Sequence, residues 1–385
     1  MIYFDNAATG GRKPSSVVNA VAAALRVSAN PGRSGHFLSV SCAKNVFKTR
    51  KLLAETFDAD DEEKVVFTKN CTEAINAFLF GVLKKGDHVV TTALEHNSVL
   101  RPLEKLKKDG IIAYDICPLD KDGNVSPDKI ASLLNEKTAL VAVTAASNVT
   151  GATPTLSAIK KVLPKSVLFF CDGAQGGGHI PLKMRETGID GLSLAGHKGL
   201  FAMQGSGALL LSNRVCIRPF LYGGTGSESF SLNMPDFLPD ALEAGTLSYP
   251  AIVSLLEGTR YYAMHGEQTA QKLRDMTARL IRGLNAISST ENEIKIYSAP
   301  NDCGIVAFAM KNLPSETLAT LLSERYAIAV RGGLHCAPLA HEALGTQKDG
   351  LLRVSFSAFN APWEIDRFLT ALTEIKNAAK RSYPL

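Results

Sequence analysis

The chain has 385 residues, of which 45% are hydrophobic and 21% charged, and this mixture indicates a globular protein of two or three packed units, not a disordered or fibrous one. Its formal charge of +5 is mild, and its basic residues form no stripe interleaved with aromatic residues, which argues against nucleic acid as a partner. No stretch approaches the roughly 18 apolar residues of a membrane span, and the first residues lack the pattern of an export signal, so we expect neither membrane insertion nor secretion.

Up to about residue 250, short apolar runs alternate with helix-length amphipathic segments. The runs are KVVFTK, HVVTTA, IIAYDICP, TALVAVTAAS, VLFFCDGA, GLSLAG and GALLLS. The helical segments are TEAINAFLFGVLKKG, SVLRPLEKLKKDG, SPDKIASLLNEK and PTLSAIKKVL. Strands that are apolar on both faces and alternate with helices predict an α/β protein whose mainly parallel sheet is covered by helices on each side.

The pattern changes after residue 250. A long helical stretch leads to a smaller set of strands, EIKIYSA, GIVAFAMK, AIAVRGG and LLRVSFS, with helices after the second and the last. We therefore predict a large domain over residues 15–264 and a smaller α+β domain over residues 265–385. The first segment, residues 1–14, is expected to pack near the small domain.

One lysine stands in an unusual place, directly after the apolar strand GLSLAG in the sequence Gly196-His197-Lys198. Such a lysine can simply extend its ammonium group to solvent. Earlier in the chain the strand VLFFC ends in Asp172, which alone is equally typical of a turn or a helix cap. A pyridoxal 5′-phosphate (PLP) site needs such a pair, because a lysine forms the Schiff base and an acid keeps the pyridine nitrogen protonated. Lys198 and Asp172 are thus candidates for both roles.

Three further polar positions follow predicted strands. Asn70-Cys71-Thr72-Glu73 precedes an amphipathic helix, which suits phosphate binding by backbone N–H groups and a hydroxyl, and also suits an ordinary N-cap at Thr72. His96 follows HVVTTA, where its ring either stacks on a flat cofactor or belongs to a turn. Asn148 follows TALVAVTAAS and is either a site residue or a polar loop residue.

The seven cysteines are odd in number and form no CxxC pair, which favours a reducing compartment, so we expect a cytoplasmic protein. One of them lies in Arg331-Gly332-Gly333-Leu334-His335-Cys336-Ala337-Pro338, whose glycines predict an exposed, flexible loop. A thiol near Arg331 and His335 is expected to have a lowered pKa and to be nucleophilic. Zinc binding by His335, Cys336 and His341 is a weaker alternative because the spacing is uneven and no fourth ligand is evident, and we predict no metal site.

Taken together, these motifs resemble the cysteine desulfurases and selenocysteine lyases of aminotransferase class V, which are PLP enzymes of fold type I. The resemblance extends almost from end to end. Its motifs are YFDNAAT, TEAIN, EHNS, ASNVTG, DGAQ, GHK, EAGT, RGGLHCAPL and LLRVSFS, in their usual order. The pattern RxGxHCA resembles the group II arm of the family.

The resemblance implies roles for the cofactor residues. Lys198 would be the Schiff-base lysine, Asp172 the partner of the pyridinium and Gln175 the donor to the ring hydroxyl. His96 would be the stacking ring and a catalytic residue. The phosphate would be held by Thr72 and His197, and by Thr246 of a partner subunit, which implies a homodimer. Cys71 would be a further cofactor-binding residue.

The resemblance also implies a substrate site and an activity. Arg353 would clamp the substrate carboxylate with help from Asn148, and Ala8 and His36 would belong to the same site. Cys336 would accept sulfur as a persulfide, converting L-cysteine to L-alanine, with a sulfur-acceptor protein and iron–sulfur cluster assembly as the expected destinations of that sulfur. Selenocysteine lysis, another class V reaction such as transamination, and a non-catalytic interaction protein are the alternatives.

Several positions depart from the family pattern. Ala195 stands where many relatives have a phosphate-binding serine, Leu334 where group II members often have a second histidine, and Cys71 where threonine is common. The loop APLAHEALGTQKDG is slightly longer than usual. These departures bear on cofactor affinity, on the sulfur acceptor and on the choice between cysteine and selenocysteine.

Overall fold

The computed structural model describes residues 1–32, 34–120, 123–288, 290 and 293–382. The chain forms two compact units. We call Lys13–Ala145 with Thr153–Gly266 the large unit, and Met1–Arg12 with Ala146–Ala152 and Glu267–Leu385 the small unit. No helix within the described ranges has both the length and the apolar character needed to cross a membrane.

The described residues form helices and strands along the whole chain. In chain order the strands are β1 (Ile2–Tyr3), β2 (Val65–Thr68), β3 (Asp87–Thr92), β4 (Ile112–Cys117), β5 (Thr138–Thr144), β6 (Leu168–Asp172), β7 (Gly191–Ala195), β8 (Gly207–Leu211), β9 (Ile294–Ile296), β10 (Ile305–Met310), β11 (Ile328–Ala329) and β12 (Leu352–Ser355). The helices are α1 (Ser15–Arg26), α2 (Phe37–Phe57), α3 (Cys71–Val82), α4 (Asn97–Lys108), α5 (Pro127–Leu133), α6 (Leu156–Val162), α7 (Met184–Thr187), α8 (Tyr249–Ile287), α9 (Ser315–Tyr326), α10 (Pro338–Leu344) and α11 (Pro362–Ser382).

The large unit is built on a seven-stranded sheet in the order β2-β8-β7-β6-β5-β3-β4. Within it β8 runs antiparallel to both of its neighbours, and the pairs from β7 to β4 are all parallel. The predicted α/β fold with a mainly parallel sheet is confirmed. The register places Thr144 of β5 beside Asp172 of β6, and Asp172 beside Ser193 of β7, so polar side chains meet where these strands end.

Both faces of this sheet are apolar, which explains the continuous hydrophobic runs in the sequence. In β5, Val141 and Val143 pack in one hydrophobic cluster while Leu140 and Ala142 pack in another, and all four are fully buried. Successive residues of a strand point to opposite faces, so a strand buried on both sides needs apolar residues at every position. Helices then cover each face.

Helix α4 illustrates how the sequence specifies these covering helices. Val99, Leu103 and Leu106 recur at spacings of four and three and are buried in a cluster with residues of the sheet. Three lysines occupy its last turn, where cations favour the helix dipole, and Gly110 follows with a φ of +68°. The predicted helix SVLRPLEKLKKDG therefore forms as expected.

The small unit has its own sheets and core. β12, β10 and β9 form an antiparallel sheet, and β1 pairs in parallel with β11 through Ile2 and Ile328. Phe4, Phe308, Phe356 and Phe368 are buried in one cluster, with the rings of Phe4 and Phe356 edge to face at 5.0 Å. Residues at both ends of the sequence thus share one core.

Candidate active site

The carboxyl ends of β6 and β7 bring together an acid, a thiol and a hydroxyl in the large unit. Asp172, the last residue of β6, is 2% exposed, and its Oδ1 accepts a 2.9 Å hydrogen bond from the Ala174 amide. The Sγ of Cys71 donates to the same oxygen at 3.3 Å and lies 3.2 Å from the Oγ of Ser193. Burial, and then the charge of Asp172, raise the pKa of the Cys71 thiol well above its ordinary value. Cys71 therefore remains protonated and serves as a donor to Asp172.

Lys198 and His197 lie in the turn that follows β7, and both are half-buried. Burial, followed by the charges of Lys198 and Lys13, lowers the pKa of His197 to about 4. The imidazole is consequently neutral near pH 7. The Nζ of Lys13 donates to the backbone carbonyl of His197 at 3.2 Å, and burial lowers the pKa of Lys13 to about 8.

Lys13 is a site residue that the sequence analysis missed. It lies far from Lys198 in the chain, and its segment GGRKP has no periodicity and no motif that indicates a second lysine beside the first. The structure brings Lys13 to His197, whose ring is affected by the charges of both lysines, because the segment before α1 approaches the turn after β7. A basic residue beside a proline was the only available signal.

The beginning of α3 differs from one prediction. The N-cap of this helix is Asn70, whose side-chain oxygen accepts from the Glu73 amide at 2.9 Å, so the interpretation of Thr72 as the N-cap is wrong. Thr72 is exposed, and its Oγ1 shares a 2.9 Å hydrogen bond with the Oγ of Ser98. The first turn of α3 thus carries the Thr72 hydroxyl beside the N-terminal N–H groups, a combination that suits an anion.

His96 caps helix α4, as the turn interpretation predicts. Its Nδ1 accepts from the Ser98 amide at 3.0 Å and lies 2.8 Å from the Oγ of Ser98. Ser98 thereby links the ring of His96 to Thr72. The cap fixes the orientation of the imidazole.

The remaining predicted residues of the large unit differ in burial. Gln175 is 3% exposed, in the segment that follows β6. Thr246 is exposed, and His36 is also exposed as the N-cap of α2, where its Nδ1 accepts from the Ser39 amide at 3.3 Å. Ala195 is buried in a hydrophobic cluster at the end of β7, so its methyl group has a packing role there.

Glu95, next to His96, is fully buried and was not identified from the sequence. Its Oε1 accepts from the Oγ1 of Thr92 at 2.7 Å and from the Thr144 amide at 2.9 Å, while its Oε2 has no hydrogen-bond partner among the described residues. Burial raises the pKa of Glu95 to about 8, and the charge of Asp172 contributes in the same direction. Glu95 is thus a carboxylic acid close to Asp172 at neutral pH.

In the small unit, Arg353 of β12 is held by two acceptors. Its Nη1 donates to the backbone carbonyl of Asn148 at 2.8 Å, and its Nη2 donates to Oδ1 of Asp5 at 2.9 Å. The side-chain amide of Asn148 in turn donates to the carbonyl of His335 at 2.7 Å. Arg353 and Asn148 are therefore in contact, as their proposed joint role requires, and Ala8 lies half-buried on the segment that follows Asp5.

Cys336 is exposed on a tightly held segment of the small unit. Both His335 and Cys336 have left-handed backbones, with φ values of +51° and +58°. The Nε2 of His335 lies 3.0 Å from the carbonyl of Leu351, and burial lowers the pKa of His335 to about 2. The His335 ring is therefore neutral near pH 7.

The structure gives a different explanation for glycine at the positions before Cys336 from the flexible loop that the sequence predicted. A Cβ on Gly332 would lie 2.5 Å from the backbone oxygen of Ser315, so this glycine permits close packing and does not mark an open loop. The following segment, APLAHEALGTQKDG, was interpreted as a loop but contains helix α10. No group of three metal-ligating side chains converges in the described part of the chain, His335, Cys336 and His341 included.

Comparisons with known proteins agree with this architecture. The family model for aminotransferase class-V matches residues 2–368, so the chain belongs to that family. Within it, the chain is 31% identical to a probable cysteine desulfurase from Pyrococcus abyssi, covering 99% of this chain and 96% of the relative. It is also 31% identical to a probable cysteine desulfurase from Methanothermobacter thermautotrophicus, covering 97% and 94%.

A solved structure leads to the same group of proteins. The apo structure of a cysteine desulfurase from Thermococcus onnurineus NA1 matches with a TM-score of 0.88 and 28% identity, covering 98% of this chain and 95% of that one. The similarity extends over nearly the full length of both chains, so it includes both units. The family resemblance predicted from the sequence motifs is confirmed.

Proposed function

We propose that the protein is a PLP-dependent cysteine desulfurase, which converts L-cysteine to L-alanine and transfers the sulfur to Cys336. The observation that carries this proposal is the buried acid Asp172 and the half-buried Lys198 at the ends of neighbouring parallel strands, in a chain whose full-length relatives are named cysteine desulfurases. An amine and an acid in this arrangement are the two groups that PLP chemistry requires.

The donor set of the large unit fits PLP. Asp172, whose Oδ1 accepts from a backbone amide and a thiol, would keep a pyridine nitrogen protonated, and Lys198 would provide the amine for covalent attachment. We assign the phosphate to uncharged donors, among them the neutral His197 and the α3 N-terminus. The full set of residues assigned to the cofactor is Lys198, Asp172, Gln175, His96, Cys71, Thr72, His197 and, from a partner subunit, Thr246.

When bound, PLP supplies an electron sink for bonds to the substrate Cα. The protein supplies the proton transfers and the nucleophile. We assign the removal of the Cα proton to the Nζ of Lys198, with His96 as the stacking residue that also takes part in catalysis. The Sγ of Cys336 then forms a bond to the substrate sulfur while the substrate C–S bond breaks, which leaves a Cys336 persulfide. Protonation of the substrate Cβ, and return of a proton from the Nζ of Lys198 to Cα, then give alanine.

The substrate carboxylate is assigned to Arg353. A guanidinium binds a carboxylate through two parallel N–H donors, and Asn148 holds Arg353 at Nη1. Ala8 and His36 are proposed as further residues of the substrate site.

The wider setting of the enzyme is also part of this proposal. None of the seven cysteines forms a disulfide, and all seven lie in the described part of the chain, which supports a reducing compartment such as the cytoplasm. We propose that the enzyme is a homodimer and that a sulfur-acceptor protein takes the sulfur from Cys336 toward iron–sulfur cluster assembly. The exposed Cys336 thiol supports such a transfer, because an acceptor must reach the sulfur.

Two variants test the proposal. Cys336→Ala is expected to keep the visible absorbance of bound PLP and to lower alanine formation from L-cysteine by at least about a hundredfold, as expected for loss of a covalent nucleophile. Lys198→Ala is expected to lose covalent attachment of the cofactor. Alanine and sulfide are measured in parallel, with Cys216→Ala, an exposed cysteine outside the assigned residues, as the control.

Two results would contradict the assignment. Full alanine formation by Cys336→Ala would remove Cys336 from the reaction. A keto acid formed from an amino donor, with no alanine from cysteine, would favour a transaminase of the same family.

A further inference from the structure

The guanidinium of Arg353 is buried and only partly satisfied. The side chain is 1% exposed, its Nη1 donates to the Asn148 carbonyl, and its Nη2 donates to Asp5. The Nε has no hydrogen-bond partner among the described residues. A buried N–H group of a charged side chain without an acceptor is unfavourable, so this position is suited to a further acceptor.

The Nε and Nη2 groups form one edge of a guanidinium, and this edge is a fork that matches the two oxygens of a carboxylate. Asp5 occupies half of the fork, because only its Oδ1 contacts Nη2. The Asp5 carboxylate thus binds the guanidinium through one oxygen, although the Nε and Nη2 groups can accommodate two.

The charges around the fork favour an additional anion. Arg331 lies beside Arg353, and the backbones of the two residues exchange hydrogen bonds of 3.2 and 2.8 Å. The positive charge of Arg331 repels the charged Arg353 guanidinium, whereas the negative charge of Asp5 stabilises it. Two cations against one carboxylate leave this region positive.

Asp5 is on the accessible side of the pair. Its side chain is 22% exposed, whereas that of Arg353 is 1% exposed, so the carboxylate covers the guanidinium. The backbone of Asp5 is fixed by hydrogen bonds that its carbonyl accepts from the Ala8 amide at 3.1 Å and from the hydroxyl of Tyr3 at 3.2 Å. A ligand that reaches Arg353 must therefore displace the Asp5 side chain or share the guanidinium with it, while the backbone around Asp5 stays anchored.

We propose that Asp5 is an internal carboxylate that occupies the binding fork of Arg353 in the substrate-free protein, and that the carboxylate of an amino-acid substrate takes its place. This inference rests on the proposed function, since it assigns a competitor to the substrate clamp. Asp5 is a positioning residue: it holds Arg353 in place without ligand, and it lowers the apparent affinity for any ligand that bears a carboxylate.

Asp5→Asn tests this role, because it removes the charge and keeps the size of the side chain. We expect the KM for L-cysteine to fall by about tenfold, which corresponds to about 1.4 kcal/mol, with kcat changed by less than about twofold. The dissociation constant of L-alanine, measured by calorimetry on the PLP-loaded protein, is expected to fall by a similar factor. That of ethylamine, which lacks the carboxylate, is expected to stay the same.

Asp302→Asn is the matched control. Asp302 also pairs with an arginine of the small unit, Arg274, at 2.6 and 2.7 Å, but this arginine is exposed and has no assigned role in the site. This variant is expected to leave both ligand affinities unchanged. Melting curves of both variants establish that each is folded.

The outcomes separate this inference from the proposed function. Unchanged or weaker L-alanine binding by Asp5→Asn would overturn the role of Asp5, and so would an equal change for ethylamine, whatever the turnover of cysteine. A wild-type protein that forms no alanine from cysteine would instead contradict the proposed function, while the two binding measurements would still decide the role of Asp5.

Discussion

At the scale of single residues, Glu95 is a titratable group that the proposed chemistry does not use. It joins the ends of β3 and β5 through Thr92 and the Thr144 amide, directly before His96. Its carboxyl group is fully buried and close to Asp172, so its ionisation is opposed by both burial and charge. A neutral Glu95 leaves Asp172 as the acid whose charge is available to a ligand.

The pH dependence of stability is expected to report the state of Glu95. Its pKa is higher in the folded protein than the ordinary 4.5, so its contribution to stability is fully present below about pH 4.5 and is lost as the pH rises through about 8. Glu95→Gln cannot ionise and is therefore expected to be more stable than the wild type at pH 9, by up to roughly 5 kcal/mol at about 1.4 kcal/mol per pKa unit.

Urea unfolding of the two proteins at pH 5 and pH 9 measures this difference. Near pH 5 the two free energies of unfolding are expected to be close. Glu104→Gln is the control, because Glu104 shares a hydrogen bond with Tyr114 and has a lowered pKa. A Glu95→Gln variant without any relative gain at high pH would show that the buried carboxyl is readily ionised.

At the scale of elements, α8 supports the segment that carries Lys198. Gly258 of α8 faces the backbone of Leu200, and a Cβ on this glycine would lie 1.8 Å from the Leu200 oxygen. Only a glycine permits this approach of a helix to the turn after β7. The position of Lys198 therefore depends on Gly258, a residue without a reactive side chain.

Gly258→Ala is expected to lower the melting temperature by several degrees and to weaken PLP binding. Alanine favours a helix interior over glycine by about 1 kcal/mol, so a loss of stability here must arise from the contact with Leu200. Thermal unfolding and the visible absorbance of the cofactor measure the two effects. Gly35→Ala, where a Cβ meets nothing within 4 Å, is the control, and equal melting of the two variants would disprove the packing argument.

Most of the regular elements could be predicted from the sequence, because periodicity and caps are local signals. The strand VLFFC and the helix SVLRPLEKLKKDG are examples, and they correspond to β6 and α4. β1 has two residues, too few for any periodicity, and it forms by pairing with β11 across the chain. β11 covers only two residues of the predicted strand AIAVRGG. The antiparallel direction of β8 also depends on its connection and not on its composition.

The residue types of the site could be predicted, but their contacts could not. Lys198 and Asp172 follow recognisable strands, so their meeting point at one sheet edge was expected. The contacts of Lys13 with His197 and of Asp5 with Arg353 join distant parts of the chain, and no local pattern indicates them. The same holds for Glu95, whose burial is set by three strands together.

At the scale of the whole molecule, the large unit carries apolar side chains that nothing in a single chain covers. Phe37, Val40 and Phe47 of α2 are 82%, 42% and 52% exposed, and their spacing places Val40 and Phe47 two turns apart on one side of the helix. Phe230 and Leu232 are fully exposed, and they lie before the short helical turn Asp240–Leu242 of this unit. Exposed apolar groups of this kind are typical of protein interfaces and support the proposed homodimer.

Light scattering is expected to give the mass of two chains for the wild type. Phe47→Glu places a charge in the exposed apolar stripe of α2 and is expected to yield single chains, with weaker PLP binding if Thr246 of the partner subunit holds the phosphate. Trp363→Glu is the control, because Trp363 is 55% exposed on α11 of the small unit and is not part of this stripe. A wild type with the mass of one chain would rule out the dimer.

The left-handed backbone at Cys336 has a consequence for the history of this position. A side chain with a Cβ is less stable than glycine in this conformation, by about 1 kcal/mol, and His335 repeats the penalty one residue earlier. A descendant with no use for the thiol would gain stability by acquiring glycine at residue 336. Cysteine at residue 336 thus carries a conformational cost that glycine would not. We expect that a related chain with glycine at this position has lost sulfur transfer.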